Sequence, residues 1–154
     1  MIRPRRTTTS PFAAPFAPFT AVAAVAACML ALAMLAGCSS GNDLDGTSWK
    51  LVGWTVSSLY PGEFDITATF SDGRISGGSG VNSYSGSYAA SGGGAFEVGE
   101  IAGTLMGGSE PAMRAETIYL TLLGEARSFT LSEGTLTLYD EGGNESLIFE
   151  SAGG

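Results

Sequence analysis

The sequence after residue 43 predicts an α+β domain, mainly antiparallel β: a single curved sheet or small barrel with one helix packed on it. Three observations lead there. Phe64, Ile66, Ala68 and Phe70 alternate with Asp65, Thr67 and Thr69, the two-residue period of a half-buried strand. Turn-forming pairs such as Asp72-Gly73 and Glu133-Gly134 recur at short intervals. Only one stretch, 110–124, carries apolar residues at three- to four-residue spacing.

The elements follow in order. Trp49, Leu51, Val56 and their neighbours form a first strand, with Gly53 as a bulge position. Trp49 and Trp54 are oddly spaced, so a regular strand sends them to opposite faces unless a bulge at Gly53 re-aims one. After the alternating strand, Asp72-Gly73 makes a hairpin turn with positive φ, and a return strand starts at Arg74-Ile75. Residues 84–90 and 95–99 are two further strands, separated by a turn at 91–94. Ser109 is the N-cap candidate of the helix, with Glu110 at its positive end and Pro111 in its first turn. Its apolar face is Ala112, Ala115, Ile118 or Tyr119, Leu122 and Ala126. A three-stranded meander (128–131, 135–139 and 145–149) and a frayed tail (151–154) complete the domain. One helix cannot bury its own apolar face, so it must cover the sheet, and 44–150 is long enough for one core.

Ahead of this domain stands a segment of different character. Arg3, Arg5 and Arg6 precede a charge-free apolar run, 21–36, that is shorter than the roughly 20 residues a membrane-spanning helix needs. The run ends in Leu35-Ala36-Gly37-Cys38, which resembles the lipobox of bacterial lipoproteins. The expectation is a signal peptide over 1–37, lipidation of Cys38, and a short linker over 38–43. Two acyl chains hold stably to a bilayer where one does not. The expected partner of Cys38 is therefore the outer side of the cell membrane.

Composition narrows the chemistry. All fifteen acidic residues follow Cys38, while three of the seven basic residues precede it, leaving a net charge of −11 after cleavage. Such a surface repels nucleic acid. The chain has no histidine, and its two cysteines are Cys28, inside the leader, and Cys38. Ser-His-Asp and Cys-His catalysis and ordinary zinc sites are thereby excluded, and no cofactor motif stands in the sequence.

Several segments together carry a family likeness. They are Leu44-Asp45-Gly46-Thr47-Ser48-Trp49-Lys50-Leu51, the Phe70-Ser71-Asp72-Gly73 hairpin, and Gly80-Val81-Asn82-Ser83-Tyr84-Ser85-Gly86-Ser87-Tyr88. Ile101-Ala102-Gly103-Thr104-Leu105-Met106, the helix with Met113, Glu116 and Leu120, and Leu136-Thr137-Leu138-Tyr139 continue it. The domain resembles the META domain of HslJ-like bacterial envelope proteins. The resemblance implies an extracytoplasmic, often lipid-anchored protein linked to heat shock, antibiotic tolerance and envelope stress. It implies no catalytic residue set. Many members carry a cysteine pair at positions that align here with Val81 and Gly107, so the disulfide is missing and Val81 is expected as a buried replacement.

The remaining candidates each admit two readings. Gly77-Gly78-Ser79-Gly80 lacks the Gly-Lys-Ser/Thr ending of a phosphate loop and reads better as bulges or close backbone packing. Asn82 is a candidate binding residue or a turn residue bonded to its own backbone. Tyr84 and Tyr88 share a strand face, as an aromatic platform for sugar or peptide or as core. Glu116 is a backbone-bonding residue rather than a base, since a lone carboxylate does not make a glycosidase pair. Residues 140–145 cluster oxygen ligands without EF-hand spacing, so no metal is expected. The expected function is a non-enzymatic envelope protein that binds a protein or small ligand. The rivals are an inhibitor of a hydrolase, presenting 77–84 as a protruding loop, and a carboxylate-type carbohydrate hydrolase.

Overall fold

The computed structural model describes residues 43–153; the leader, Cys38 and the start of the linker lie outside the described residues. The strands are β1 (Thr47–Trp54), β2 (Thr67–Ser71), β3 (Arg74–Gly78), β4 (Ser83–Ala90), β5 (Phe96–Gly103), β6 (Ser128–Ser132), β7 (Thr135–Tyr139) and β8 (Glu145–Ser151). Among the described residues one α-helix, α1 (Glu110–Glu125), separates β5 from β6. The strands form one antiparallel sheet in the order β5-β4-β3-β2-β1-β8-β7-β6. Every neighbour is a chain neighbour except β1 and β8, which pair at the middle of the sheet.

The sheet curls until its edge strands touch. Ala95 and Ser128 form an antiparallel bridge, with the Phe96 N–H donating to the Arg127 carbonyl at 2.9 Å and the Phe129 N–H to the Gly94 carbonyl at 2.8 Å. Beyond this short seam no strand among the described residues pairs with the outer edge of β5, and α1 packs on the concave face, where Tyr119 meets Tyr84 and Phe149. The result is a half-barrel with a helix across its concave face.

Turn chemistry behaves as the residues demand. Asp72 and Gly73 have φ of 52° and 71°, and Glu133 and Gly134 have 46° and 82°, the left-handed pairs that suit two-residue hairpins. The two tryptophans are both buried because β1 is bulged: Leu51 pairs with Phe149 and Gly53 with Ile148, so one residue is skipped and Trp54 returns to the inner face.

Several boundaries differ from the sequence reading. Val56 lies beyond β1 and is exposed, because the strand ends at Trp54. Phe64 follows a short 3₁₀ turn, Pro61–Glu63, and Ile66 lies just ahead of β2, bridged to Ser79 and accepting the Leu51 N–H at 3.0 Å. β5 runs to Gly103 rather than stopping at residue 99, with an irregularity against β4 that turns Ile101 back toward the helix side. The tail does not fray at Ser151, which pairs with Trp49, and the Ala152 N–H donates to the Ser48 carbonyl at 2.9 Å. Central strand β1 begins early enough to pair with β8 from Leu147 through Ser151.

The helix buries Ala115, Tyr119, Leu122 and Leu123. Of the expected alternatives it is Tyr119 that is fully buried, while Ile118 is only half-buried. Leu123 joins the buried face because the concave sheet wraps a broad arc of the helix. Ser109 takes an extended N-cap conformation but its hydroxyl makes no capping bond.

Aromatic rings fill the space between helix and sheet. Phe70 meets Tyr88 edge-on with centroids 4.8 Å apart and Phe96 at 6.2 Å, and Phe96 meets Phe129 at 6.4 Å. Tyr119 meets Tyr84 at 5.5 Å and Phe149 at 6.4 Å. Edge-to-face pairs of this kind add about 0.5–1.5 kcal/mol each beyond area burial.

Candidate functional site

The most elaborate polar arrangement lies where the helix meets the β3–β4 connection. Asn82, 8% exposed, uses all four hydrogen-bonding positions of its side-chain amide. Its Nδ2 donates to Glu116 Oε1 at 2.9 Å and to the Met106 carbonyl at 3.2 Å. Its Oδ1 accepts from Thr104 Oγ1 and from the Met106 N–H, each at 2.7 Å. The Asn82 N–H donates to Glu116 Oε2 at 2.9 Å. One side chain thereby ties together the start of β4, the segment that follows β5, and α1.

Glu116 receives still more. The hydroxyl of fully buried Ser79 reaches both Glu116 Oε2 and the Asn82 carbonyl, and its single proton goes to the charged oxygen as the stronger acceptor. The Asn82 carbonyl is already served by the Ser79 N–H at 2.7 Å. Burial pushes the Glu116 carboxyl up, but donors on Ser79, Asn82 and the Val81 backbone outweigh it and hold the group below the usual carboxylate range. This is an ionised carboxylate held in place by its neighbours.

The glycine run before Asn82 exists for close packing. A Cβ at Gly77 would stand 2.1 Å from the Thr67 carbonyl oxygen, and one at Gly78 would stand 2.8 Å from that of Asp65. The Gly78 N–H donates to Thr67 Oγ1 at 3.0 Å, so the run faces β2 rather than a phosphate. Ser79 and Asn82 are buried, and the 77–84 segment does not protrude as an inhibitor loop would need.

The two strand tyrosines share the inner face and lie in the core, 3% and 7% exposed. The Tyr84 hydroxyl donates to the Thr67 carbonyl at 3.0 Å and bonds the Tyr119 hydroxyl. Burial pushes both of these phenols well above the ordinary tyrosine range; the Tyr119 bond lowers Tyr84 slightly, whereas proximity to Tyr84 raises Tyr119 further. Both hydroxyls are neutral donors at any physiological pH. Tyr88 packs on Phe70, and its hydroxyl lies 3.4 Å from Asp45 Oδ1. Thus Asn82 and Tyr84 both reach the helix, through Glu116 and Tyr119 respectively, while Tyr88 belongs to the opposite end of the core. The sequence places Ser79 in a glycine run, Thr104 in a family segment and Tyr119 on the helix face, but does not mark them as partners of Glu116, Asn82 and Tyr84.

The 140–145 segment is a hairpin loop closed on itself. Asp140 Oδ1 accepts from the Asn144 N–H at 2.9 Å and both carboxylate oxygens face Asn144 Nδ2, bonds that hold the Asp140 carboxyl low. Among the described residues no group of three His, Cys, Asp or Glu gathers to hold a metal.

Val81 is half-buried rather than buried, and its partner is not Gly107. A Cβ at Gly107 would meet nothing within 4 Å, whereas one at Gly108 would lie 3.4 Å from Val81 Cβ. The valine methyls occupy the space that a side chain at 108 would need.

Beside this network a cavity of about 310 Å³ opens between α1 and the end of β5, with Ile101, Gly103, Leu105, Glu116 and Leu120 in its walls. Leu105 is fully exposed, Met106 is 59% exposed and Met113, in the first helical turns, 46%.

Comparison with known proteins accords with this architecture. A protein from Burkholderia xenovorans solved by NMR is 26% identical, with a TM-score of 0.59, covering 98% of this chain and 99% of its own. A DUF4847 family protein from Bacteroides vulgatus is 14% identical over 70% of this chain and 93% of its own, with a TM-score of 0.52, and shares the fold. No curated protein sequence matches the chain. The family model for the META domain matches residues 42–153, nearly all of the folded region, and the chain belongs to the META domain family.

Proposed function

We propose that the chain is a lipid-anchored, extracytoplasmic META-domain protein that serves the bacterial envelope by binding rather than by catalysis, under the stress conditions the family resemblance implies. The observation that carries the reading is Leu35-Ala36-Gly37-Cys38 at the end of a charge-free apolar run, with Leu44 already buried only six residues later. Five linker residues, 39–43, span at most about 18 Å, which keeps the domain close to the bilayer.

The strand register shows at which end of the domain the described chain enters. Thr47 pairs with Phe70, Ser71 with Arg74 and Ala90 with Phe96, so the chain enters at the end that carries the 71–74 and 91–94 turns. Gly78 pairs with Ser83 and Tyr84 with Gly103 at the other end. The Asn82–Glu116 network and the Leu105 cavity lie at this other end, which supports a reading in which the tethered domain keeps them free for a partner.

The chemistry of Glu116 supports a non-enzymatic reading. A general acid near neutral pH needs a raised pKa, and Glu116 is shifted the other way with both oxygens engaged. The test is mass spectrometry of the native product. Diacylglyceryl mass on an amino-terminal Cys38, with a Cys38→Ala variant released from membranes, is the expected result. A free thiol or a retained leader overturns it.

A further inference from the structure

We propose that the outer edge of β5 captures an extended, cationic-apolar polypeptide segment as an added strand, with one of its apolar side chains seated in the cavity beside Leu105. This deepens the binding reading above but does not depend on the lipid tether.

The register fixes which backbone groups face outward. The Thr104 N–H donates to the Ser83 carbonyl at 3.0 Å, and the same alignment pairs Ser85 with Ala102 and Gly86 with Ile101. In an antiparallel ladder the directly bonded pairs alternate, so residues 104 and 102 address β4 while Gly103 and Ile101 direct their N–H and C=O to the other side. Among the described residues no strand lies on that side, because the β5–β6 bridge lies at Ala95, the opposite end of β5. Ile101 and Gly103 both border the cavity of about 310 Å³, so the open edge and the hollow are one feature.

The walls specify the occupant. Ile101 and Leu120 give the hollow an apolar wall with the fully exposed Leu105 at its rim, while the opposite wall is the Asn82, Thr104 and Glu116 network, whose polar groups are bonded to one another. A strand added to β5 sends alternate side chains to the helix side, where the hollow receives an apolar one. Charge selects the rest. Glu97 and Glu100 are exposed along β5, and after Cys38 the chain has four basic residues against fifteen acidic ones. Exposed sheet edges usually carry charge, proline or cover that blunts pairing, and the 101–105 stretch, Ile-Ala-Gly-Thr-Leu, has no charge and no proline.

The experiment uses the full chain in detergent micelles and the peptide acetyl-Lys-Val-Lys-Leu-Lys-Val-Lys-amide, followed by amide NMR and titration. Two N-methylated forms are compared, one methylated on every Val and Leu and the other on the internal Lys residues. Since all residues of one parity direct their N–H to the same edge, one form should lose at least tenfold in affinity while the other stays within about twofold. Shifts should centre on Ile101 and Gly103, and Leu105→Ser should weaken binding several-fold. Loss of affinity in neither form or equally in both, equal binding of a peptide with Glu in place of Lys, or no binding at 1 mM overturns the proposal. None of these outcomes bears on the Cys38 modification, which mass spectrometry reads separately.

Discussion

The two ends of the half-barrel are closed by different physics. At the end where the chain enters, Phe70, Tyr88, Phe96 and Phe129 pack edge to face, and backbone bonds across Ala95 and Ser128 seal the sheet. At the other end no strand among the described residues pairs with the outer edge of β5, and side chains do the joining: Glu116 and Tyr119 of the helix bond Asn82, Ser79 and Tyr84 of the sheet side. Non-directional apolar packing and backbone pairing accept many sequences. A buried polar network is stable only when every member is satisfied, and here no buried side-chain N or O among the described residues lacks a partner. The polar end is therefore specified residue by residue, and it is the end with a cavity and an open strand edge.

Mutations should separate the ends by mechanism. Phe70 is fully buried amid two other rings, so Phe70→Ala should cost about 4 kcal/mol in denaturant unfolding at every pH. A linked Val81→Cys and Gly108→Cys pair should act in the opposite direction. The 3.4 Å spacing of the β-carbons is near the lower limit of disulfide geometry, and oxidation should stabilise the domain by about 3 kcal/mol. Oxidised and reduced samples of the same variant make the comparison, and a Val81→Cys pairing with Gly107→Cys should gain nothing, since Gly107 faces open space.

A smaller effect, with a pH signature, belongs to Glu116. Glu116→Gln keeps the shape but sets an NH₂ against donors that need an acceptor, costing about 2 kcal/mol at neutral pH. The folded carboxyl is held below its ordinary value of 4.5, so its contribution is complete above that pH and is lost as the pH falls through the lowered folded value. The gap between wild type and Glu116→Gln should therefore narrow in strong acid, while the Phe70→Ala gap should not.

The same contrast explains what could be read from the sequence. The alternation of 64–70 and the Asp72-Gly73 and Glu133-Gly134 turns are local signals, and they reported a curved antiparallel sheet correctly. The helix at 110–125 announced itself by its spacing, off by one residue at its end. The bulge between Leu51 and Gly53 is a one-residue change of phase that shows only against β8, so the common burial of Trp49 and Trp54 could be offered only as one option. The extension of β5 through Glu100 and Gly103 hid behind an irregular pairing with β4. The Asn82–Glu116 contact joins residues 34 apart, and nothing in either neighbourhood declares the other. Backbone register brings them together, and the sequence carries that information only in distributed form.

A double-mutant cycle on Asn82 and Glu116, read by equilibrium unfolding at pH 7, is the most direct test that this pair fastens helix to sheet. The two singles, Asn82→Ala and Glu116→Gln, should share much of their cost, so that the double variant falls short of the sum by about 1.5 kcal/mol or more. Additivity within about 0.3 kcal/mol would mean that the two residues act independently, and the joint described here would not exist in solution.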